Sequence, residues 1–256
     1  MSHRVDPATA PNFPGGTGVT RLNVYSWDSP DGLCGGSPHL HTASSEGYIV
    51  VAGQGRVQTL SAEGYAEHPL VPGTVLWFTP GTVHRLVNDD GALDIVVVMG
   101  NAGLPEHGDA VFTFPDEVLA DPEKYRAAAT LPSGAGSAEM EAAVRARRDL
   151  ALEGYTGLVD RLNRGDQGAL RELHEHAASL VADKTGHWRS LVEAGPLAQA
   201  NQTLATINQL ASGDASPLAS ATVRGAAPVS TEPLYGMCGR LQTWDLKPAT
   251  GLRIHG

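Results

Sequence analysis

The chain is short of cysteine, of basic charge and of long apolar runs, and each shortage excludes something. Its two cysteines, Cys34 and Cys238, lie far apart and outside any Cys-x-x-Cys spacing, so a disulfide framework has no support and both read as reduced thiols. Lysine and arginine number 18 against 28 aspartates and glutamates, a formal charge of −10. Such a chain lacks the basic face that phosphate backbones attract, so no nucleic acid is expected as partner, and anionic lipid surfaces are disfavoured by the same sign. No apolar run approaches the roughly 20 residues of a spanning helix. The start Met1-Ser2-His3-Arg4-Val5-Asp6-Pro7 lacks the apolar core of a secretory leader. A cytoplasmic protein that meets no membrane is the expectation.

What is present is turn chemistry between short alternating runs. Arg21 to Trp27 alternates and reads as a first strand, and Ser29-Pro30-Asp31-Gly32 follows as a turn in which Pro fixes φ and Gly accepts a positive one. Gly53-Gln54-Gly55 reads as a tight hairpin into Arg56-Val57-Gln58-Thr59-Leu60. Val71-Pro72-Gly73 precedes a run with Trp77 and Phe78, and Asp89-Asp90-Gly91 precedes Ile95-Val96-Val97-Val98-Met99. Short strands with Gly-rich turns at near-regular spacing predict an antiparallel β-barrel or sandwich.

Within this pattern lie four metal-ligand side chains. His39 and His41 are separated by one residue, so on a strand both rings point the same way and can reach one ion. Glu46 follows after a bend at the head of Gly47-Tyr48-Ile49-Val50-Val51. His84 enters a later strand from the turn Pro80-Gly81, with Asn88 four residues on in the same strand, where it supports the turn. Neutral imidazoles and a carboxylate suit one divalent metal ion, Fe or Mn favoured, with Zn, Ni or Co as alternatives.

These residues resemble the cupin superfamily. His39, His41, Glu46 and Gly53 fit its His-x-His, Glu, Gly pattern, and Gly81, His84 and Asn88 fit its Gly-x-x-His-x-x-x-Asn pattern. Two turn residues depart from it: Leu33 stands where a glycine is expected, with Gly32, Gly35 and Gly36 nearby, and the proline before Gly81 is displaced to Pro80. The resemblance covers about residues 20 to 100. It implies a mainly β fold, a cupin-type antiparallel β-barrel (double-stranded β-helix) with the metal inside and helices after it, and leaves the reaction open among dioxygenases, decarboxylases, isomerases, epimerases and binding modules.

Around the barrel, assigned to 20–115, the sequence divides into an extended arm (1–19), a connector (116–136), a helical extension (137–212) and a linker with a strand-like tail (213–256). Beyond Met99 the stretch to Gly136 is rich in Gly, Pro and Ala and offers only short helical possibilities. Ser137 caps a helix that Gly154 is expected to interrupt. Asp166 starts a longer one whose face is Leu170, Leu173, Ala177, Leu180 and Val181. Pro196 suits the first turn of another, with Leu197, Ala200, Leu204, Ile207 and Ala211 on one face. Stripes of this kind are expected to pack on one another or on the barrel. His174 and His176, two apart on a helix, diverge and read as surface residues, as does His187. Arg240-Leu241-Gln242 and Trp244-Asp245 echo Arg21-Leu22-Asn23 and Trp27-Asp28 and predict a strand on a sheet edge.

Alternation turns Tyr48 and Val50 inward with Glu46, and Leu86 inward with His84. Tyr48 is the candidate catalytic side chain, set against the commoner role of a buried aromatic in the core; Arg56, Gln58 and Trp77 are weaker candidates for substrate contact, and Cys34 for the cavity mouth. Three imidazoles and one carboxylate leave positions open on the metal, which favours a metal-dependent enzyme acting on a small oxygenated organic molecule by Fe(II)- or Mn(II)-dependent, dioxygenase-type oxidation. The alternatives are a sugar isomerase or epimerase with Tyr48 or a water as base, and a non-catalytic binding module. Its partners are then a small-molecule substrate and, as the candidate protein partner, a second copy in a homodimer.

Overall fold

The computed structural model describes residues 13–246 apart from residue 102. Most of the expected N-terminal arm (1–12) and the end of the tail (247–256) lie outside the described residues. Nine strands come first: β1 (Gly18–Val24), β2 (His39–His41), β3 (Glu46–Ala52), β4 (Gly55–Ser61), β5 (Gly64–Leu70), β6 (Val75–Phe78), β7 (Val83–Asn88), β8 (Asp94–Met99) and β9 (Ala110–Phe112). The helices are α1 (Asp116–Leu119), α2 (Pro122–Ala129), α3 (Ser137–Asn163), α4 (Ala169–Val181), α5 (Thr185–Val192), α6 (Ala198–Ala211) and α7 (Ser216–Ala219), and β10 (Leu234–Tyr235) and β11 (Gly239–Thr243) follow.

The strands form two antiparallel sheets, β10-β11-β1-β8-β3-β6 and β5-β4-β7-β2-β9. This is the antiparallel β-barrel expected from the alternation and the turns. Inside the barrel lie Leu22, Val24, Tyr48, Val50, Val57, Leu86, Ile95 and Val97. The second sheet is apolar on its other face too. Leu40, Leu60, Val83 and Val111 join Ala151, Tyr155, Leu158, Leu173, Ala177 and Trp188 in a second core. Alternation explains both: on β2 the histidines face in, so Leu40 between them must face the helices. The helices thus roof one sheet, while the outer face of the other is exposed around β3 and β6.

Four expectations about the barrel's last strand and the helices are corrected. First, Ala110–Phe112, inside the bounds given to the barrel but in a stretch expected to hold only short helices after Met99, is a strand pairing with β2. Three residues are too few for alternation to show. Second, α3 runs unbroken through Gly154. That glycine is a point of contact, since a Cβ there would lie 2.3 Å from the Thr113 carbonyl oxygen. Third, the helix expected from Asp166 begins at Ala169 and ends at Val181, and a tight turn, Ala182–Lys184, leads directly into a further, unexpected helix, α5. Fourth, the stripe on α6 is not buried: Leu204 is 59% and Ile207 54% exposed. Gly195, with non-helical backbone (φ −99°, ψ −105°), and Pro196 kink the chain just before this helix, so it leaves the bundle.

The C-terminal segment returns to the barrel. Arg21 pairs with Gln242, Leu22 with Leu241 and Asn23 with Arg240, so the two segments that echo one another in sequence are neighbours. The strand is not at the edge, because β10 lies outside it.

The two glycines of α3 give opposite expectations. Gly154→Ala forces a methyl against backbone and should lower stability by about 1–3 kcal/mol. Gly157, with nothing within 4 Å of an added Cβ, should gain about 0.5–1 kcal/mol as alanine, because glycine is a poor helix former. Urea midpoints of the two variants should move in opposite directions; a shared direction would refute the close-contact account of Gly154.

Candidate metal centre

β2 and β7 place the three histidines on the inner face of the second sheet, with His39 directly opposite His84, and β3 presents Glu46 from the first sheet. The four residues are all buried, and one ligand atom from each lies within 4.8 Å of the others. Every imidazole is held by the nitrogen that faces away from the cluster. His39 Nδ1 donates to the Ser37 carbonyl at 2.9 Å, His84 Nδ1 to the Thr82 carbonyl at 3.0 Å, and His41 Nδ1 to Asp109 Oδ2 at 3.2 Å. Carbonyl and carboxylate oxygens only accept, so the proton of each neutral ring sits on Nδ1 and the lone pair on Nε2.

These lone pairs converge on one another. His84 Nε2 lies 3.1 Å from His39 Nε2 and 3.0 Å from Glu46 Oε2, and His41 Nε2 lies 3.3 Å from the same oxygen. Glu46 Oε2 is buried without a hydrogen-bond donor. Acceptors crowded this way repel unless a cation joins them, so the donor set fits a single metal ion, and the chemistry of its ligands does not choose among Fe, Mn, Zn, Ni and Co.

The charges agree. Burial by itself would lower the His41 imidazole, but Asp109 and Glu46 raise it to about 9. His39 is pushed well below the usual histidine range by burial and by His84 and His41. Burial opposes ionisation of Glu46, but His84 and His41 outweigh it and hold the carboxyl well below its ordinary value.

Two neighbours escape sequence reasoning. Asp109 is fully buried and, besides holding His41, accepts from the Thr42 hydroxyl at 2.7 Å, Ala43 N at 2.7 Å and Ser44 N at 3.1 Å. Its one signal was an acid at the entry to an apolar run, Ala110-Val111-Phe112. Cys238, distant in sequence, has its Sγ 3.9 Å from His39 Nδ1, with the thiol pushed up by burial. Gly36 permits this approach, since a Cβ there would lie 2.5 Å from Cys238 Cα.

Tyr48 and Val50 face inward with Glu46, and Leu86 with His84. The Tyr48 hydroxyl is buried without a hydrogen-bond partner, and burial, then Glu46, pushes its pKa well above the ordinary phenol value. Asn88 supports the turn: it donates to the Val24 carbonyl and accepts from Leu93 N. The weaker candidates lie elsewhere. Arg56 pairs with Asp89 and Glu67, Gln58 donates to Glu67, and Trp77 is 74% exposed because its neighbour Phe78 takes the inward position opposite Glu46. Cys34 lies beside Asp28, away from the cluster. Among the described residues His174 and His176 belong to no metal-ligand cluster, and the His187 ring meets His107 edge-on, with centroids 4.7 Å apart. His174 is half-buried, and its Nε2 donates to the Gly81 carbonyl at 2.8 Å, next to the turn that carries His84.

Residues 27–99 match the model of the family described as Cupin domain. No curated protein matches the chain. Among solved structures, the capsular polysaccharide assembling protein CapF from Staphylococcus aureus shares 15% identity over 40% of this chain and 27% of its own, with TM-score 0.30. WlaRA (TDP-fucose-3,4-ketoisomerase) from Campylobacter jejuni shares 14% over 32% of this chain and 58% of its own, TM-score 0.27. Oxalate decarboxylase from Bacillus subtilis shares 17% over 32% and 18%, TM-score 0.23. Overlaps this small bear on nothing that this chain binds or does. Among the described residues, no helix is long and apolar enough to cross a membrane.

Elemental analysis after metal loading tests the centre. His41→Ala should lose most of its metal and His39→Ala/His84→Ala all of it, whereas His174→Ala should keep wild-type stoichiometry. Asp109→Asn keeps the shape but weakens the hold on His41, and its metal affinity should fall about 10–100-fold. Full occupancy in the double variant would place the metal elsewhere.

Proposed function

We propose that the cupin domain of residues 27–99 is the catalytic unit of a metal-dependent enzyme that oxidises a small oxygenated organic molecule with O₂, using Fe(II) or Mn(II). The observation that carries this reading is the contrast between the donor cluster and its surroundings. His39, His41, Glu46 and His84 offer four donors, and a metal of this kind takes five or six, so positions remain for substrate oxygens. The barrel interior beside them is lined by Val50, Val57, Leu86, Ile95, Val97 and Met99. A polyhydroxylated sugar would find few hydrogen-bond partners there, which disfavours sugar isomerisation; an enolate, carboxylate or diol on an apolar frame would lose less.

When bound, the metal supplies open coordination positions and one-electron redox chemistry. The chain's own groups do the rest. Three neutral imidazoles and one carboxylate bring a single negative charge to a dication, so the ion itself still attracts an anionic oxygen donor, while the buried Asp109 carboxylate behind His41 balances the remaining charge of the site. Ser37, Thr82 and Asp109 keep the imidazoles from rotating. Tyr48, held as the protonated phenol with its hydroxyl unpaired, donates a hydrogen bond to the substrate oxygen. The apolar wall excludes water from the reacting atoms.

Oxygen consumption by the Fe- or Mn-loaded protein, screened against enolate, carboxylate and diol substrates, tests the reaction class. Turnover without oxygen uptake would replace oxidation by non-redox metal catalysis. Tyr48→Phe should retain wild-type metal content yet turn over at least about tenfold more slowly, the equivalent of one hydrogen bond to a charged group. An unchanged rate would remove Tyr48 from the mechanism.

A further inference from the structure

We propose that the bare outer face of the first sheet, where β3 meets the edge strand β6, is the seat of a second copy of this chain, so that the protein is a two-fold homodimer. The face is fixed by register. Glu46, Tyr48 and Val50 point into the barrel, so Gly47, Ile49 and Val51 point out. Ile49 stands between Val75 and Val96, and Gly47 between Trp77 and Val98. The result is two adjacent apolar rows across three strands. Val75 is 61% and Trp77 74% exposed, with Ile49 and Val51 also exposed and Val96 and Val98 partly so.

Size, charge and edge geometry argue for an identical partner. Together these side chains expose on the order of 500 Å², near the top of what a monomer shows in one apolar patch and more than half of the ~800 Å² that each partner buries in a standard interface. None of the six is charged. The nearest charge in these rows is Arg21, across the sheet from Val96, and Asp94 neutralises it at 2.6 Å. A chain of net charge −10 meets its own copy without like-charge contact only through a neutral face, whereas a basic partner would be drawn to an acidic one. Among the described residues β6 has a strand neighbour on one side only, an open edge of the kind folded proteins cover. A two-fold axis through this corner covers patch and edge together, with Trp77 as the anchoring side chain on both partners.

Sedimentation velocity of the full-length metal-loaded protein across a wide concentration range reads the assembly, and the expected species has twice the chain mass. Trp77→Glu should sediment as a monomer with unchanged metal content and an unchanged circular dichroism spectrum, because its side chain contacts little within one chain. Val75→Lys reads the same surface should Trp77→Glu fail to fold. Leu204→Glu, on the exposed face of α6, should stay dimeric. The proposal is overturned by a wild-type protein that remains monomeric at every concentration, by dimers that persist in both sheet variants, or by dissociation in Leu204→Glu alone, which would move the contact to α6. Metal content and oxygen uptake are read separately, so loss of the dimer and failure of the oxidative reading are distinguishable.

Discussion

The hydrogen bond on the far side of each imidazole is the constraint from which the site's order follows. A histidine reaches a metal through Nε2 only while something accepts the proton on Nδ1, and the acceptors here come from three separately held segments. Ser37, behind His39, is fixed through its own N–H to the Met237 carbonyl in the C-terminal tail. Thr82, behind His84, belongs to the turn whose Gly81 carbonyl is held by His174 of α4. Asp109, behind His41, ends a loop tied to α5 and to the turn before it: Trp188 Nε1 of α5 donates to the His107 carbonyl, and Lys184 Nζ of the turn to the Gly108 carbonyl. The helices and the tail are therefore the outer supports of the cluster, each serving one ring.

The same economy of faces organises the barrel. Strand β2 carries metal ligands on one side and Leu40 on the other, so the second sheet needs apolar cover outside as well as inside, and α3, α4 and α5 supply it. The first sheet has one inner ligand, Glu46, and apolar walls too, but among the described residues no helix covers its outer rows of valine, isoleucine and tryptophan. Two sheets of similar composition are thus treated oppositely by the chain.

Much of this was legible in the residues. The His39/His41 pair, Glu46 and His84 announced themselves because metal chemistry restricts both residue type and spacing, and period-two alternation placed Tyr48, Val50 and Leu86 correctly. What stayed hidden depended on contacts between distant segments. Asp109 has no motif of its own; only the pairing of Ala110–Phe112 with β2 brings it to His41. Gly154 looks like a helix breaker until the Thr113 carbonyl is seen against it. The stripe on α6 has the right spacing for burial, and its exposure follows from the backbone at Gly195, which no periodicity records.

The return of the C-terminal strand bears on how the molecule is assembled in time. The Tyr25 hydroxyl bonds to the Gly236 carbonyl across 211 residues, and Cys238 lies against His39 across 199. Contacts of such separation form slowly, since the intervening chain must first be confined. Strand β1 thus has one edge covered only by the far end of the chain, and the support behind His39 depends on that same end, since the Met237 carbonyl holds the Ser37 N–H. Ordering of His39 is therefore coupled to the docking of a segment 199 residues away, which ties the metal centre to the integrity of the whole chain.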